Sequence, residues 1–273
     1  MTVHHTRSVS FFAALLGSAA ALAQVGPACP QGMVAVTAGQ VIIGLSASQR
    51  QVQAQAVSQS GFCIHTAEVT ADDYSACVAR GACSGRAFQE NCNIVRAGNG
   101  RHPMNCVSFI EASRYCQAFG FSLPTEAQWE YAAQSGDPRR YPWGDAPPVS
   151  QLCWSGAFEG QREGTCQVGS FAAGRSPLGL DDMAGNVWEF TLNLFLPMGG
   201  PQSAGSAQPV SLEMPANLQP DAPLAQARVA VRGGGYGDVS PEFVTVTSRI
   251  GVAANATHLR RVGFRCVAPL GAR

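Results

Sequence analysis

The chain has no lysine, and all 18 of its basic residues are arginine. This absence excludes chemistry that needs a lysine amine, such as Schiff-base formation, and it excludes the lysine of a phosphate-binding P-loop. Charge of either sign is scarce, because charged residues make up 13% of the 273 residues and 18 acidic residues balance the 18 basic ones. This balance gives no reason to expect a polyanionic partner such as nucleic acid.

Two further absences narrow the class of protein. No stretch approaches the roughly 20 consecutive apolar residues that a membrane-spanning helix needs. The sequence has no C-x-x-C motif, and only His65, His102 and His258 lie beyond the N-terminal 23 residues. Zinc sites are usually built from closely spaced cysteine and histidine ligands. The sequence therefore predicts no transmembrane segment, and it favours disulfides over a zinc centre.

The N-terminus has the pattern of an export signal. Arg7 precedes the apolar run "FFAALLGSAAALA", which ends in an A-x-A pattern at Ala21 and Ala23. This order of a basic, an apolar and a small-residue segment is typical of a secretory signal peptide. We expect a signal peptide at residues 1–23 and one domain at 24–273, exported to the periplasm or the extracellular medium.

Ten cysteines lie beyond the predicted signal peptide. An even number of cysteines in an exported chain indicates disulfides, which persist in oxidising compartments. Cys153 and Cys166 flank the glycine-rich stretch "WSGAFEGQREGT", and their spacing alone predicts a bridge that closes a short loop. Such a bridge stabilises a protein by about 3 kcal/mol, because it constrains the unfolded chain.

Helix signals cluster in the first half of the chain. Three hydroxyl residues are each followed three positions later by an acidic or amide side chain, which is the capping-box pattern: Thr70, Ser108 and Thr125. Each predicted helix ends at a glycine, and these are Gly81, Gly120 and Gly136. The spacing therefore predicts three short helices before residue 140.

Strand signals flank these helices. The stretch at 32–44 predicts a pair of strands with a turn at Gly39, and "FCIHT" and the β-branched stretches after residue 226 predict further strands. No helix is predicted beyond residue 140, and residues 197–223 are predicted to form a flexible surface insertion. The fold class is therefore α+β, in a single domain.

Several longer motifs resemble a known family. The segment "RHPMNCVSFIEASRYCQAFGFSLPTEAQWEYAAQSG" is similar to the central segment of the formylglycine-generating enzyme (sulfatase-modifying factor) family. "YPWGD", "GLDDMAGNVWEFT", "VRGGGYGD" and "SRIG…RVGFRC" follow in the family's order, so that the resemblance covers most of residues 32–267. It implies a fold related to C-type lectins, with much irregular structure and a disulfide between Cys116 and Cys266. The sequence leaves 15 possible pairings for the remaining six cysteines, Cys29, Cys63, Cys77, Cys83, Cys92 and Cys106.

The resemblance implies a structural calcium site at residues 182–189. Carried over by position, Asp182 and Glu189 supply side-chain oxygens, and Gly185 and Val187 supply backbone carbonyls. Calcium takes six to eight oxygen ligands and accepts this mixture of donors. The alternative from the residues alone is a tight turn at Gly185-Asn186 with solvated acids. A second family calcium site is not expected, because Cys153-Trp154 stands near its first ligand position.

The copper site of the family is not complete in this sequence. Its enzymes oxidise a cysteine of a sulfatase to formylglycine with copper(I) held by two thiolates, ligands that suit this soft ion. By position, the two cysteines fall at Asp238 and near Phe243, within "GGGYGDVSPEF". With both ligands absent, no copper is expected and no catalytic residue is assigned.

Three functions follow as hypotheses. The first is an exported binding or accessory domain that uses its lectin-like scaffold for an unidentified protein or carbohydrate ligand. The alternative is an oxidoreductase that modifies a residue of an exported protein, by formylglycine-type or altered chemistry. A structural protein of the cell envelope is the third. Most of the four tryptophans are expected to pack in the core rather than form a carbohydrate platform.

Overall fold

The computed structural model describes Met1 and residues 29–43, 55–156, 162–195 and 227–272. The described strands are β1 (Met33–Val36), β2 (Gly39–Ile43), β3 (Gln55–Gln59), β4 (Phe62–His65), β5 (Trp188–Leu194), β6 (Arg228–Arg232), β7 (Arg249–Ala253), β8 (Val262–Gly263) and β9 (Val267–Pro269). The helices are α1 (Ala71–Ala79), α2 (Phe109–Ala118) and α3 (Glu126–Gln134). The predicted α+β class is confirmed.

The three helices begin where their capping boxes predict. At α1, the Thr70 hydroxyl accepts from the Asp73 N–H at 3.1 Å, and the Asp73 carboxylate accepts from the Thr70 N–H at 3.1 Å. Ser108 and Thr125 form the same reciprocal pair at α2 and α3. Each box satisfies two backbone donors that would otherwise have no partner, and a cap stabilises a helix by about 1 kcal/mol.

The strands form three small sheets. One has the order β1, β4, β9, a second pairs β2 with β3, and the third has the order β7, β6, β5, β8. All pairs are antiparallel except β5 with β8, which are parallel through Trp188 and Glu189. β5 lies between β6 and β8, so that both of its edges are paired, and its residues Trp188, Phe190 and Thr191 are buried. The four-stranded sheet therefore brings β5 next to β6 and β8, which come later in the chain.

The prediction that residues 32–44 form a strand pair turning at Gly39 is wrong. β1 pairs with β4 and β2 pairs with β3, in two different sheets. Gly39 is the first residue of β2, and a Cβ there would lie 2.1 Å from the Tyr131 hydroxyl oxygen of α3. The glycine at this position is explained by the close approach of an aromatic side chain and not by a turn.

Two sequence predictions concern residues outside those that the structure describes. These are the signal peptide at 1–23, apart from Met1, and the whole insertion at 197–223. In the described part of the chain, none of the helices is long and apolar enough to cross a membrane. After residue 140 the described helical turns are short 3-10 segments, as at Pro241–Val244.

Candidate functional site

Two glycine-containing loops meet at one end of the four-stranded sheet. The 182–187 loop leads into β5 and the 233–238 loop follows β6, and the two strands pair Glu189 with Arg232. The Gly185 N–H donates to the Gly233 carbonyl at 2.9 Å, and the Tyr236 N–H donates to the Asn186 carbonyl at 2.7 Å. The antiparallel pairing thus places the predicted calcium loop beside the 233–238 loop, where the family's first copper ligand falls by position.

The copper position holds a carboxylate and an aromatic ring. Asp238 accepts a hydrogen bond from the Gly235 N–H at 2.8 Å, which closes a tight turn. Burial raises the pKa of Asp238 above its ordinary value, although the Gly235 donor and the Arg261 charge oppose this shift. The Phe243 ring is exposed at the surface, with its centroid 6.4 Å from that of Trp188. Neither side chain offers the soft sulfur ligand that copper(I) prefers.

All ten cysteines are paired in disulfides. The bonds are Cys29–Cys63, Cys77–Cys83, Cys92–Cys106, Cys116–Cys266 and Cys153–Cys166. Two of these are the pairs that the family resemblance and the loop spacing predict, Cys116–Cys266 and Cys153–Cys166. The structure also selects one of the 15 arrangements that the sequence left open for the other six. No thiol therefore remains to take the place of the missing copper ligands.

The predicted calcium ligands lie in a tightly curled loop. Asp182, Gly185 and Asn186 all have positive φ angles, of 54°, 79° and 57°. The Asp182 carboxylate accepts from the Gly169 N–H at 2.7 Å through Oδ2, and burial raises its pKa to about 6. A buried carboxylate with a raised pKa is one whose charge is poorly compensated by its surroundings.

Glu189 is committed to an ion pair. Its two carboxylate oxygens accept from Arg265 Nε and Nη2, each at 2.7 Å, and Oε2 also accepts from the Trp129 indole N–H at 2.9 Å. Both charged side chains are fully buried. An oxygen has room for about two such partners, so that only Oε1 of Glu189 has capacity for a further contact. Among the described residues, no three His, Cys, Asp or Glu side chains converge on one point. The predicted calcium set is of another kind, because two of its four ligands are backbone carbonyls.

Sequence reasoning missed Glu68 as part of this loop's surroundings. Its Oε1 accepts from the Asn186 side-chain amide at 3.1 Å, and its Oε2 is buried without a hydrogen-bond partner. Burial, together with the nearby Asp182 and Glu189 carboxylates, raises the pKa of Glu68 well above its ordinary value. Glu68 is 118 residues from Asn186 in the chain, and no local pattern connects the two.

A polar cleft of about 620 Å³ opens beside the 233–238 loop. Six of its eight lining residues are charged: Arg96, Arg162, Arg260, Arg261, Glu90 and Glu163, together with Asn91 and Tyr236. Arg261 connects the cleft to the loop, since its guanidinium lies 5.6 Å from the centroid of the Tyr236 ring. The Arg261 guanidinium also lies against Gly237, where a Cβ would be 2.3 Å from Arg261 Cζ. This volume lies within the range of small-molecule sites.

The remaining motif residues serve the core. The side chains of Trp129, Trp154 and Trp188 are buried, as predicted, and Trp143 stacks on Tyr141 with 5.1 Å between ring centroids. Arg249 makes a two-pronged pair with Glu126 at 2.8 and 2.9 Å. These contacts assign the tryptophan side chains to packing, and they leave the cleft and the two loops as the candidate site.

Comparisons with known proteins identify the family of the chain. Residues 20–270 match the family described as "Sulfatase-modifying factor enzyme 1-like domain". The chain is 36% identical over 204 residues to a formylglycine-generating enzyme of Mycobacterium tuberculosis, covering 69% of this chain and 64% of that protein. It is 39% identical over 102 residues to a hercynine oxygenase of Mycolicibacterium thermoresistibile, covering 36% of this chain and 22% of that protein. The chain thus spans less than two thirds of the length of these relatives.

A solved structure shares the fold. The structure of PvdO from Pseudomonas aeruginosa superposes with a TM-score of 0.65 at 23% identity, covering 87% of this chain and 94% of that one. At this identity the likeness concerns the fold alone. The match over residues 20–270 covers well over half of the chain. The chain therefore belongs to the formylglycine-generating enzyme (sulfatase-modifying factor) family.

Proposed function

We propose that this chain is an exported family member that binds a ligand beside the 233–238 loop and does not oxidise cysteine with copper. The observation that carries the proposal is the pair of residues at the copper-ligand positions, the Asp238 carboxylate and the Phe243 ring. The pairing of all ten cysteines supports it, because no other thiol is free to hold the ion. Five disulfides are also what an oxidising compartment outside the cytosol allows.

The chemistry of the donors supports a binding role over oxidation. Copper(I) is a soft ion that prefers thiolates, whereas a carboxylate is a hard oxygen donor and a phenylalanine ring has no donor at all. The names of the two relatives, formylglycine-generating enzyme and hercynine oxygenase, favour the alternative of an oxidoreductase. An oxidoreductase would need metal ligands other than two thiolates. The binding proposal needs only the cleft that Arg261 lines.

We also propose that the 182–187 loop holds a structural calcium ion. Asp182 Oδ1 accepts no hydrogen bond from the described residues, and one lone pair remains on Glu189 Oε1. The Gly185 and Val187 carbonyls complete the oxygen-rich set that calcium prefers. The raised pKa of Asp182 supports the proposal, since a cation beside this carboxylate would compensate its buried charge.

Calcium binding is tested by thermal unfolding of protein stripped with a chelator. Calcium at a hundred times its Kd is expected to add about 2.7 kcal/mol to the free energy of unfolding. Asp182→Gly, which tolerates the positive φ, should abolish this gain. Asp181→Asn, at the neighbouring carboxylate that pairs with Arg175, should keep it. An equal calcium effect in the Asp182→Gly variant would contradict the assignment.

The oxidase question is tested with a sulfatase peptide. The purified chain, loaded with copper(I), is incubated with a peptide containing Cys-x-Pro-x-Arg, and the peptide mass is measured. We expect no loss of the cysteine thiol and no copper retained after desalting. A double variant with Asp238→Cys and Phe243→Cys serves as the matched control, because it restores two thiolates and is expected to retain copper. Aldehyde formation by the unchanged chain would refute the proposed function.

A further inference from the structure

The cleft beside the 233–238 loop concentrates positive charge. Its walls carry four guanidinium groups and two carboxylates, whereas the whole chain is balanced at 18 basic and 18 acidic residues. Guanidinium groups bind carboxylate and phosphate oxygens in a planar, two-pronged geometry. The local excess of positive charge therefore indicates a negatively charged ligand.

Three of the four arginines make no salt bridge with the described residues. Within the described ranges, salt bridges engage seven other arginines: Arg86, Arg139, Arg140, Arg175, Arg232, Arg249 and Arg265. None of these bridges involves Arg96, Arg260 or Arg261. Among the described residues, the two buried arginines, Arg232 and Arg265, have carboxylate partners. Arg96, Arg260 and Arg261 are exposed and line the cleft.

The backbone of the Arg260-Arg261 pair is held in place. The Arg260 carbonyl accepts from the Asn105 side-chain amide at 2.8 Å, and the Arg261 carbonyl accepts from the Trp188 N–H at 2.8 Å. The Arg261 guanidinium is further restrained by its position over the Tyr236 ring. Groups that are already ordered lose less conformational freedom when a ligand binds.

The other walls are held by two disulfides and by a side-chain hydrogen bond. Cys92–Cys106 fixes the segment that carries Arg96, and Cys153–Cys166 fixes the segment that carries Arg162. Arg162 Nε donates to the Trp154 carbonyl at 3.0 Å. The cleft is therefore assembled from distant segments whose relative positions are restrained.

From this arrangement we propose that the cleft binds the carboxylate or phosphate group of a small molecule or short peptide through Arg260 and Arg261. This assignment rests on the proposed function and names its ligand class. The volume of about 620 Å³ suits a small ligand. Glu90 and Glu163 on the same walls would repel a polyanion, which limits the ligand to a few negative charges.

The test is calorimetric titration of the full chain with inorganic phosphate and, separately, with succinate, at pH 7 and low ionic strength. We expect saturable binding of at least one, weakened at least tenfold in Arg260→Gln and in Arg261→Gln and weakened by added salt. The probe that binds more tightly identifies the group. Arg114→Gln, at an exposed arginine of α2, is the matched control and should bind as the unchanged chain does.

Two outcomes would overturn the assignment. One is the absence of saturable binding of either probe at millimolar concentration by the unchanged chain. The other is equal weakening in Arg114→Gln and Arg260→Gln, which would show nonspecific charge attraction. Circular dichroism of each variant establishes that it is folded. If phosphate or succinate binds but the chain also oxidises the sulfatase peptide, the proposed function is rejected and the ligand class stands. If neither probe binds and the peptide is not oxidised, the ligand class is rejected and the absence of copper oxidase activity stands.

Discussion

Arg261 and Arg265 are four residues apart in one segment but lie in opposite environments. Arg265 is fully buried, with its guanidinium fork on Glu189 and further bonds to the carbonyls of His65, Thr66 and Asp181. Arg261 lines the open cleft, where its guanidinium lies over the Tyr236 ring and its charge acts on the Asp238 carboxylate. The same residue type thus stabilises the fold at one position and faces solvent at the other.

The comparison extends to how each region is held together. The region around Arg265 is held by paired charges and hydrogen bonds among fully buried groups. The region around the cleft is flanked by two disulfides, and Arg96, Arg260 and Arg261 make no salt bridge with the described residues. A region built for binding needs its polar groups unsatisfied, and covalent crosslinks can supply the rigidity that internal pairing would otherwise provide.

The largest effect is expected from Arg265→Met. The substitution leaves the Glu189 carboxylate buried without its cation, and breaking a buried pair from one side costs roughly 3–5 kcal/mol. The free energy of unfolding measured with urea should fall by this amount. The double variant with Glu189→Leu removes both charges and should recover much of the loss. A loss below about 1 kcal/mol in the single variant would show that Glu189 is compensated by other groups.

The next effect is expected from removing the Cys153–Cys166 bond. Replacing both cysteines with alanine releases a short loop at the cleft wall, and the entropic model predicts a loss of about 3 kcal/mol. Urea unfolding measures this loss, and titration with phosphate or succinate should show weaker binding because Arg162 is no longer restrained. Removing Cys77–Cys83, which lies away from the cleft lining, is the control and should leave binding unchanged. Unchanged binding in both variants would show that the bond does not organise the cleft.

The sequence predicted the features that depend on neighbouring residues. The N-caps Thr70, Ser108 and Thr125 each need only a side chain three positions away, and all three helices begin there. The strand β5 was missed although "WEFTLNL" alternates apolar with polar residues, because its first residues were interpreted as part of the acidic metal-binding stretch at 182–189. In the structure its polar members, Glu189, Thr191 and Asn193, are buried as well. Gly39 was misjudged because its reason is the Tyr131 ring 92 positions later, which no local pattern records.

The candidate site was only partly predictable for the same reason. The 233–238 loop and the 182–189 stretch were found because family motifs lie on consecutive residues. The cleft is different, because Arg96, Arg162 and Arg260 come from three segments that only the folded chain brings together. Glu68 likewise reaches the site only in the folded chain, where its Oε1 accepts from Asn186, 118 positions away, and its Oε2 is buried without a partner.

A smaller effect should come from His65, which lies against the buried pair. Burial and the Arg265 charge lower its pKa from 6.5 to about 4, and Asp73 opposes this shift. Between pH 6.5 and pH 4 the unfolded chain therefore binds more protons at His65 than the folded chain does. The contribution of His65 to the free energy of unfolding is complete above pH 6.5 and is lost as the pH falls toward 4.

The measurement compares the unchanged chain with His65→Asn at pH 7.5 and pH 5.5. Asparagine keeps an acceptor for the Cys266 N–H that now donates to His65 Nδ1, but it does not titrate. Lowering the pH should destabilise the unchanged chain by about 1 kcal/mol more than the variant. An identical pH dependence in both proteins would mean that His65 keeps an ordinary pKa in the folded state.

The smallest effect is expected from Arg260→Met, the substitution that matches Arg265→Met in chemistry. Because Arg260 has no salt bridge among the described residues, no charge is stranded when it is replaced, and the free energy of unfolding should change by less than about 0.5 kcal/mol. Urea unfolding of the two variants side by side measures the contrast directly. A loss approaching that of Arg265→Met would show that Arg260 stabilises the fold, and the cleft would then be a structural feature and not a binding site.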